Sequence, residues 1–102
     1  MNIQNMMKQA QQMQAKMASL QNELAEREVE ASAGGGAVKV KVNGKQELLS
    51  IKIAVEAVDP NDVETLETLV QTAVNQAMKQ SQEMVTSAMS KITGGLNLPG
   101  MF

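Results

Sequence analysis

Few side chains in this chain could do chemistry, and those few suit binding better than catalysis. The sequence has no His, Cys, Tyr or Trp, which removes the commonest general bases and several nucleophiles. No spacing of metal ligands occurs. The glycines at 34–36 are not followed by the Gly-Lys-Ser/Thr of a phosphate-binding loop. We therefore expect no enzyme activity, cofactor, metal ion or small-molecule substrate.

Positive charge is distributed unusually at the start of the chain. From residue 1 to 22 the only charged side chains are Lys8 and Lys16, and the first carboxylate is Glu23. Glutamines and an asparagine surround these lysines. Lysine supplies charge for phosphate groups, and amide side chains donate to phosphate oxygens and base edges. Lysine and glutamine are also good helix formers on a solvated surface, so the residues alone favour neither reading.

The same segment is predicted to form a long helix over residues 2–28. Its apolar residues alternate at spacings of three and four, as in a heptad seam. On an ideal helix, Lys8 points away from this seam and Lys16 lies on its flank. About 25 residues of helix measure about 38 Å. The seam consists of Ile3, Met6, Ala10, Met13, Met17, Leu20 and Leu24.

Between residues 29 and 56 the period changes to two, which predicts a three-stranded antiparallel meander. Asn43-Gly44 predicts a two-residue hairpin in which both residues have positive φ. Leu48 interrupts the alternation, as a bulge does. The residues predicted to face the core are Val38, Val40 and Val42 on the central strand, and Leu49, Ile51, Ile53 and Val55 on the third.

Lysines on the outer face of this sheet form a candidate basic patch, made of Lys39, Lys41 and Lys52 with Lys45 at the turn. Acids at outward positions, among them Glu28 and Glu30, could pair with them across the strands. This favours a solvated face of mixed charge.

A second helix is predicted over residues 60–93. Asp59 is the expected N-cap, Pro60 the first helical residue and Asp62 the acid of a capping box. Gly94 and Gly95 indicate the end of the helix. Residues 94–102 form a short apolar tail.

These elements predict a single α+β domain over residues 1–102, with the order α-β-β-β-α and two long helices flanking the sheet. One aromatic residue in 102 leaves a thin core. Both helices are longer than a strand of about 23 Å, and their overhanging turns carry apolar residues. A soluble chain rarely exposes such seams, so we expect a homodimer.

Four stretches, taken in order, resemble the YbaB/EbfC family of bacterial nucleoid-associated proteins. They cover nearly the whole chain: "MMKQAQQMQAKM", "VKVKVNGKQELLSIKI", "DPNDVETLETLVQTAVNQAMK" and "GGLNLPGMF". The resemblance implies a cytoplasmic homodimer at the nucleoid, with subunits joined through their sheets and helices projecting as arms.

The resemblance also implies binding of double-stranded DNA through the helices, with a role in nucleoid organisation and gene regulation. Many relatives carry a basic pair after the "AVNxA" element, whereas this chain has Lys79 alone. Carried onto this sequence, the contacts implied are Lys8, Gln9, Gln12, Lys16, Lys79 and Lys91.

Two other functions fit parts of the pattern. Long helices with methionine-rich seams beside a β-hairpin also resemble prefoldin-like chaperones, which predicts a protein-binding dimer of holdase or adaptor type without DNA binding. The acidic net charge of -2 and the sparse lysines favour this alternative, whereas the acid-free first helix favours DNA. A membrane-surface helix is disfavoured because aromatic anchors are lacking.

Overall fold

The computed structural model describes residues 2–93 and confirms the predicted order α-β-β-β-α. The elements are helix α1 (Ile3–Glu26), strands β1 (Glu28–Ala33), β2 (Val38–Asn43) and β3 (Leu48–Ile53), a short 3-10 helix (Val55–Ala57) and helix α2 (Val63–Thr93). The tail predicted at residues 94–102 lies outside the described residues.

The core lies between one face of the sheet and the first half of α2. The strands run antiparallel in the order β1-β2-β3. Val38, Val40 and Val42 are fully buried, as predicted, and pack with Ala73 and Ala77 of α2. Small residues one turn apart on α2 allow its backbone to approach the sheet, so the core is thin.

The two helices extend far beyond the sheet. A six-residue strand spans about 20 Å, whereas the 31 residues of α2 span about 46 Å. The molecule measures 73 × 24 × 16 Å. The expected overhang of both helices is therefore present.

The β2–β3 turn differs from the predicted two-residue hairpin. The Asn43 N–H donates to the Glu47 carbonyl at 3.1 Å, and the Gln46 N–H donates to the Asn43 carbonyl at 3.1 Å. The residue with positive φ is Gln46, at 66°. This is a three-residue loop, a turn followed by a left-handed residue. It forms because the Asn43 side-chain oxygen accepts from the N–H groups of Lys45 and Glu47, each at 3.0 Å.

The predicted bulge in β3 is confirmed, but the predicted burial of this strand is wrong. Lys41 lies opposite Ser50 and Val42 opposite Leu48, which leaves Leu49 as the extra residue. The expected core residues of this strand are exposed: Leu49 is 46%, Ile51 41%, Ile53 40% and Val55 83% accessible. The reason is that α2 packs on β1 and β2 and leaves the apolar side of β3 uncovered.

Both helices are shorter than predicted. α1 ends at Glu26 rather than at residue 28, because Arg27 has the extended conformation. α2 begins at Val63 rather than at Pro60. Asp59 accepts from the Asn61 N–H and belongs to the preceding turn, whereas Asp62 accepts from the Thr65 N–H at 3.3 Å. Asp62, not Asp59, therefore caps the helix.

Candidate nucleic-acid interface

The first half of α1 is an arm that is fastened only at its base. Its free end begins with Asn2, whose side-chain oxygen accepts from the Gln4 N–H at 3.0 Å and caps the helix. At the other end Leu24 is only 2% exposed and lies against Gly44 of the β2–β3 loop. Before Met17 every described residue of the helix is exposed. The arm thus presents its side chains to solvent on all sides.

The four α1 residues named from the sequence lie on one face of this arm. At about 100° per residue, Lys8, Gln12, Lys16 and Gln9 fall within an arc of about 100°. All four are exposed. Lys8 and Lys16 are about 12 Å apart along the helix axis, with the amides between them. The arrangement can place two ammonium groups and two amide donors along one side of a rod-like partner.

The arm carries two lysines and no acidic side chain. Neither Lys8 nor Lys16 forms an ion pair with another described residue. The first turn of α1 holds no acid, so the positive end of the helix dipole at the tip of the arm is not neutralised. A local field of this sign attracts a polyanion although the whole chain carries -2.

The two α2 lysines named from the sequence lie apart from this face and from each other. Lys91 lies in the groove between the helices, near Glu23 and Arg27 of α1. Lys79 lies on another side of α2, beside Glu83 one turn away. Both are exposed. The structure therefore brings together the four α1 residues, places Lys91 at the base of the arm and leaves Lys79 separate.

The sheet carries a second group of lysines. From the sequence alone, we expect nearby acids to pair with them and form a solvated face of mixed charge. Lys39 lies directly opposite Lys52, and Lys41 lies opposite Glu30 on its other side. None of these three lysines forms an ion pair with another described residue. Only the strand register shows that two of them form a like-charge pair.

Apolar surface accompanies these polar faces. The seam of the arm is open to solvent, with Ile3 72%, Met6 51% and Met13 41% exposed. Between residues 2 and 93, no three His, Cys, Asp or Glu side chains lie close enough to hold a metal ion. No described helix is both long and apolar enough to cross a membrane.

Comparison with known proteins gives one consistent result. The sequence profile of the YbaB/EbfC DNA-binding family matches residues 1–96. A nucleoid-associated protein of Thermoanaerobacter pseudethanolicus is 58% identical over 101 residues, which is 99% of this chain and 91% of the relative. A nucleoid-associated protein of Moorella thermoacetica is 64% identical over 99 residues, 97% of this chain and 95% of the relative.

One solved structure is similar in fold. The crystal structure of the uncharacterized protein HP0035 from Helicobacter pylori matches with a TM-score of 0.75 and covers 90% of this chain and 97% of its own. Its sequence is 21% identical, so this likeness concerns the fold alone.

Proposed function

The chain belongs to the YbaB/EbfC DNA-binding family, and on that premise we propose that it binds double-stranded DNA as a homodimer. Relatives that are 58% and 64% identical carry the name nucleoid-associated protein. This supports a place at the nucleoid, in the cytoplasm, and a role in nucleoid organisation and gene regulation. The family is defined by DNA binding and not by a catalysed reaction.

The observation that carries the proposal is the acid-free polar face of the α1 arm. Lys8 and Lys16 are exposed, unpaired with any described residue and separated by amide side chains. Phosphate contacts of this kind set affinity and position without reading sequence, and the amides can add contacts to base edges. We propose that Lys8, Gln9, Gln12 and Lys16 make the main contacts. Lys91 would add to them from the base of the arm, and Lys79 from a separate side of α2.

The homodimer is supported by the uncovered side of β3. This edge strand exposes Ile51 and Ile53 on the side that in β2 carries the buried Val40 and Val38. A second subunit that joined along this edge would cover the apolar strip and satisfy the unpaired edge. Two subunits would also double each arm contact.

The test is fluorescence anisotropy with a labelled duplex at about 50 mM and about 200 mM salt. Lys8→Gln/Lys16→Gln is compared with wild type and with Lys45→Gln, which removes a lysine from the β2–β3 loop. We expect wild-type binding to weaken steeply with salt, with a slope of about -0.9 per phosphate contact. The arm variant should bind at least about tenfold more weakly and with a shallower slope, whereas Lys45→Gln should remain close to wild type.

Two results would count against the proposal. Salt-independent binding would show that phosphate contacts do not drive it. Failure of the wild type to bind at low salt, together with capture of unfolded apolar clients, would favour the protein-binding dimer, whose clients would lie against the exposed seam around Met6 and Met13.

A further inference from the structure

We propose that the open face of the β-sheet is a second surface for DNA phosphates, centred on Lys39 and Lys52. This inference rests on the proposed DNA binding and adds a site that the arms do not include. The face is the side of the sheet opposite α2, and its residues alternate with the buried valines of β2. Lys39 and Lys52 are exposed on it.

The strand register concentrates the lysines at one side of this face. Lys39 and Lys52 are direct cross-strand partners, so their Cβ atoms lie about 5 Å apart. Lys41 follows on β2, about 7 Å further along the strand. Two acids of the same face, Glu28 and Glu30, lie on β1 at the far edge. A third, Glu47, lies at the β2–β3 loop, where it accepts from the Asn43 side-chain amide at 3.0 Å. The lysine pair Lys39 and Lys52 lies at the end of the β2–β3 ladder away from that loop.

Like charges directly opposite each other destabilise a sheet. Here the repulsion is not relieved, because neither Lys39 nor Lys52 forms an ion pair with another described residue. An acid across from Lys39 would have neutralised the pair, but Ser32 occupies that position on β1. A polyanion bound across the face would attract both lysines and so offset their mutual repulsion.

The geometry fits a duplex backbone better than a compact anion. Lys39 and Lys52 are exposed side by side on the open face, so each ammonium group can contact a separate phosphate. The spacing of about 7 Å between Lys39 and Lys41 along β2 is about twice the axial rise of 3.4 Å per phosphate of one DNA strand. If two subunits join along β3, as proposed above, both lysine groups flank the dimer axis on one continuous face.

The test compares Lys39→Gln/Lys52→Gln with Arg27→Gln/Lys45→Gln, which changes net charge equally with residues outside this face and outside the proposed arm contacts. Binding of a labelled duplex is measured by anisotropy over a salt series, and melting temperature is measured for each variant. For a dimer that loses four phosphate contacts, the magnitude of the salt slope should fall by about 3.6. The dissociation constant should rise at least about tenfold at moderate salt.

Two further variants separate charge from folding. Removing a like-charge pair should leave the melting temperature of Lys39→Gln/Lys52→Gln unchanged or higher, so weaker binding cannot come from unfolding. Lys39→Arg/Lys52→Arg keeps both charges and should bind like wild type. Glu30→Gln removes an acid from the same face and should strengthen binding about two- to threefold, by the reduced repulsion of phosphate.

The outcomes distinguish this inference from the proposed function. If Lys39→Gln/Lys52→Gln binds like its matched control while Lys8→Gln/Lys16→Gln binds weakly, the sheet face is not a DNA surface and the arm proposal stands. If the arginine variant also fails to bind, the loss is not electrostatic and the inference is overturned. If wild type does not bind duplex DNA at low salt, both the proposed function and this inference are overturned.

Discussion

Gly44 and Leu24 are in backbone contact, and this contact holds the α1 arm to the sheet. A Cβ added to Gly44 would collide with the Leu24 carbonyl oxygen and lie 2.7 Å from the carbonyl carbon. Leu24 is 2% exposed, and it is the only described residue of α1 that is buried. The α1 arm therefore contacts the β2–β3 loop at Gly44, where the absence of a side chain allows the two backbones to approach.

The first prediction concerns this contact. Gly44→Ala should destabilise the protein by roughly 2 kcal/mol or more, because backbone on both sides of the collision must shift. The change should also loosen α1, which hydrogen exchange would show as faster exchange of its amides. Chemical denaturation with exchange measured by mass spectrometry tests both effects.

Gly35→Ala is the matched control for Gly44→Ala. Gly35 has a φ of 68° with nothing within 4 Å of an added Cβ, so alanine there costs about 1 kcal/mol of backbone strain. Its effect should not reach α1. Equal exchange rates of α1 in the two variants would contradict the fastening role of Gly44.

Ser81 joins α2 to the same loop. Its side chain is fully buried; its Oγ donates to the Asn43 carbonyl at 2.7 Å and accepts from the Gln46 side-chain amide at 2.8 Å. Ser81 follows Ala73 and Ala77 on the buried stripe of α2. Beyond it, α2 lines a groove with the base of α1 around Leu24.

The second prediction follows from these two hydrogen bonds. Ser81→Ala should lower the free energy of unfolding by about 1–3 kcal/mol, because the Asn43 carbonyl and the Gln46 amide lose a partner inside the protein. Ser90→Ala, at an exposed position of the same helix, should be neutral or slightly stabilising since alanine is the better helix former. Urea denaturation of both variants measures the difference, and equal midpoints would contradict the prediction.

The order of elements was predictable because each depends on a local period. The apolar seam of α1 and the alternating valines of β2 need no knowledge of the rest of the chain. The place of the hairpin at Asn43-Gly44 was predictable for the same reason. The length of its loop was not predictable, because the Asn43 side chain also accepts a hydrogen bond from the Glu47 N–H. Gly44 is required because the Leu24 backbone, twenty residues earlier, approaches it closely, and not because of a positive φ.

Burial and charge pairing depend on which elements meet, and the sequence was less informative there. Ile51 and Ile53 lie on the predicted side of β3, but a single α2 covers only β1 and β2. The pairing of Lys39 with Lys52 depends on register, and a shift of two residues would have placed different side chains opposite each other. For α1 the period sufficed to place Lys8, Gln9, Gln12 and Lys16 on one exposed face, while their contact with DNA stays a prediction.

The third prediction tests the dimer through the apolar side of β3. Ile51→Glu/Ile53→Glu should convert the protein to a monomer, because two carboxylates per subunit would be buried without partners in the proposed interface. Each isoleucine is already about 40% exposed in the single chain, so the isolated subunit should remain folded. Sedimentation velocity gives the mass, and circular dichroism confirms that helix content is kept.

Ser50→Glu is the control for this pair, since Ser50 directly precedes Ile51 and points to the opposite face of the strand. It should leave the dimer intact. The monomeric variant should lose at least about 100-fold in affinity for a duplex, because the second subunit no longer binds as part of the same molecule. If Ile51→Glu/Ile53→Glu still sediments as a dimer, the subunits join elsewhere, and the exposed seam of α1 becomes the next surface to test.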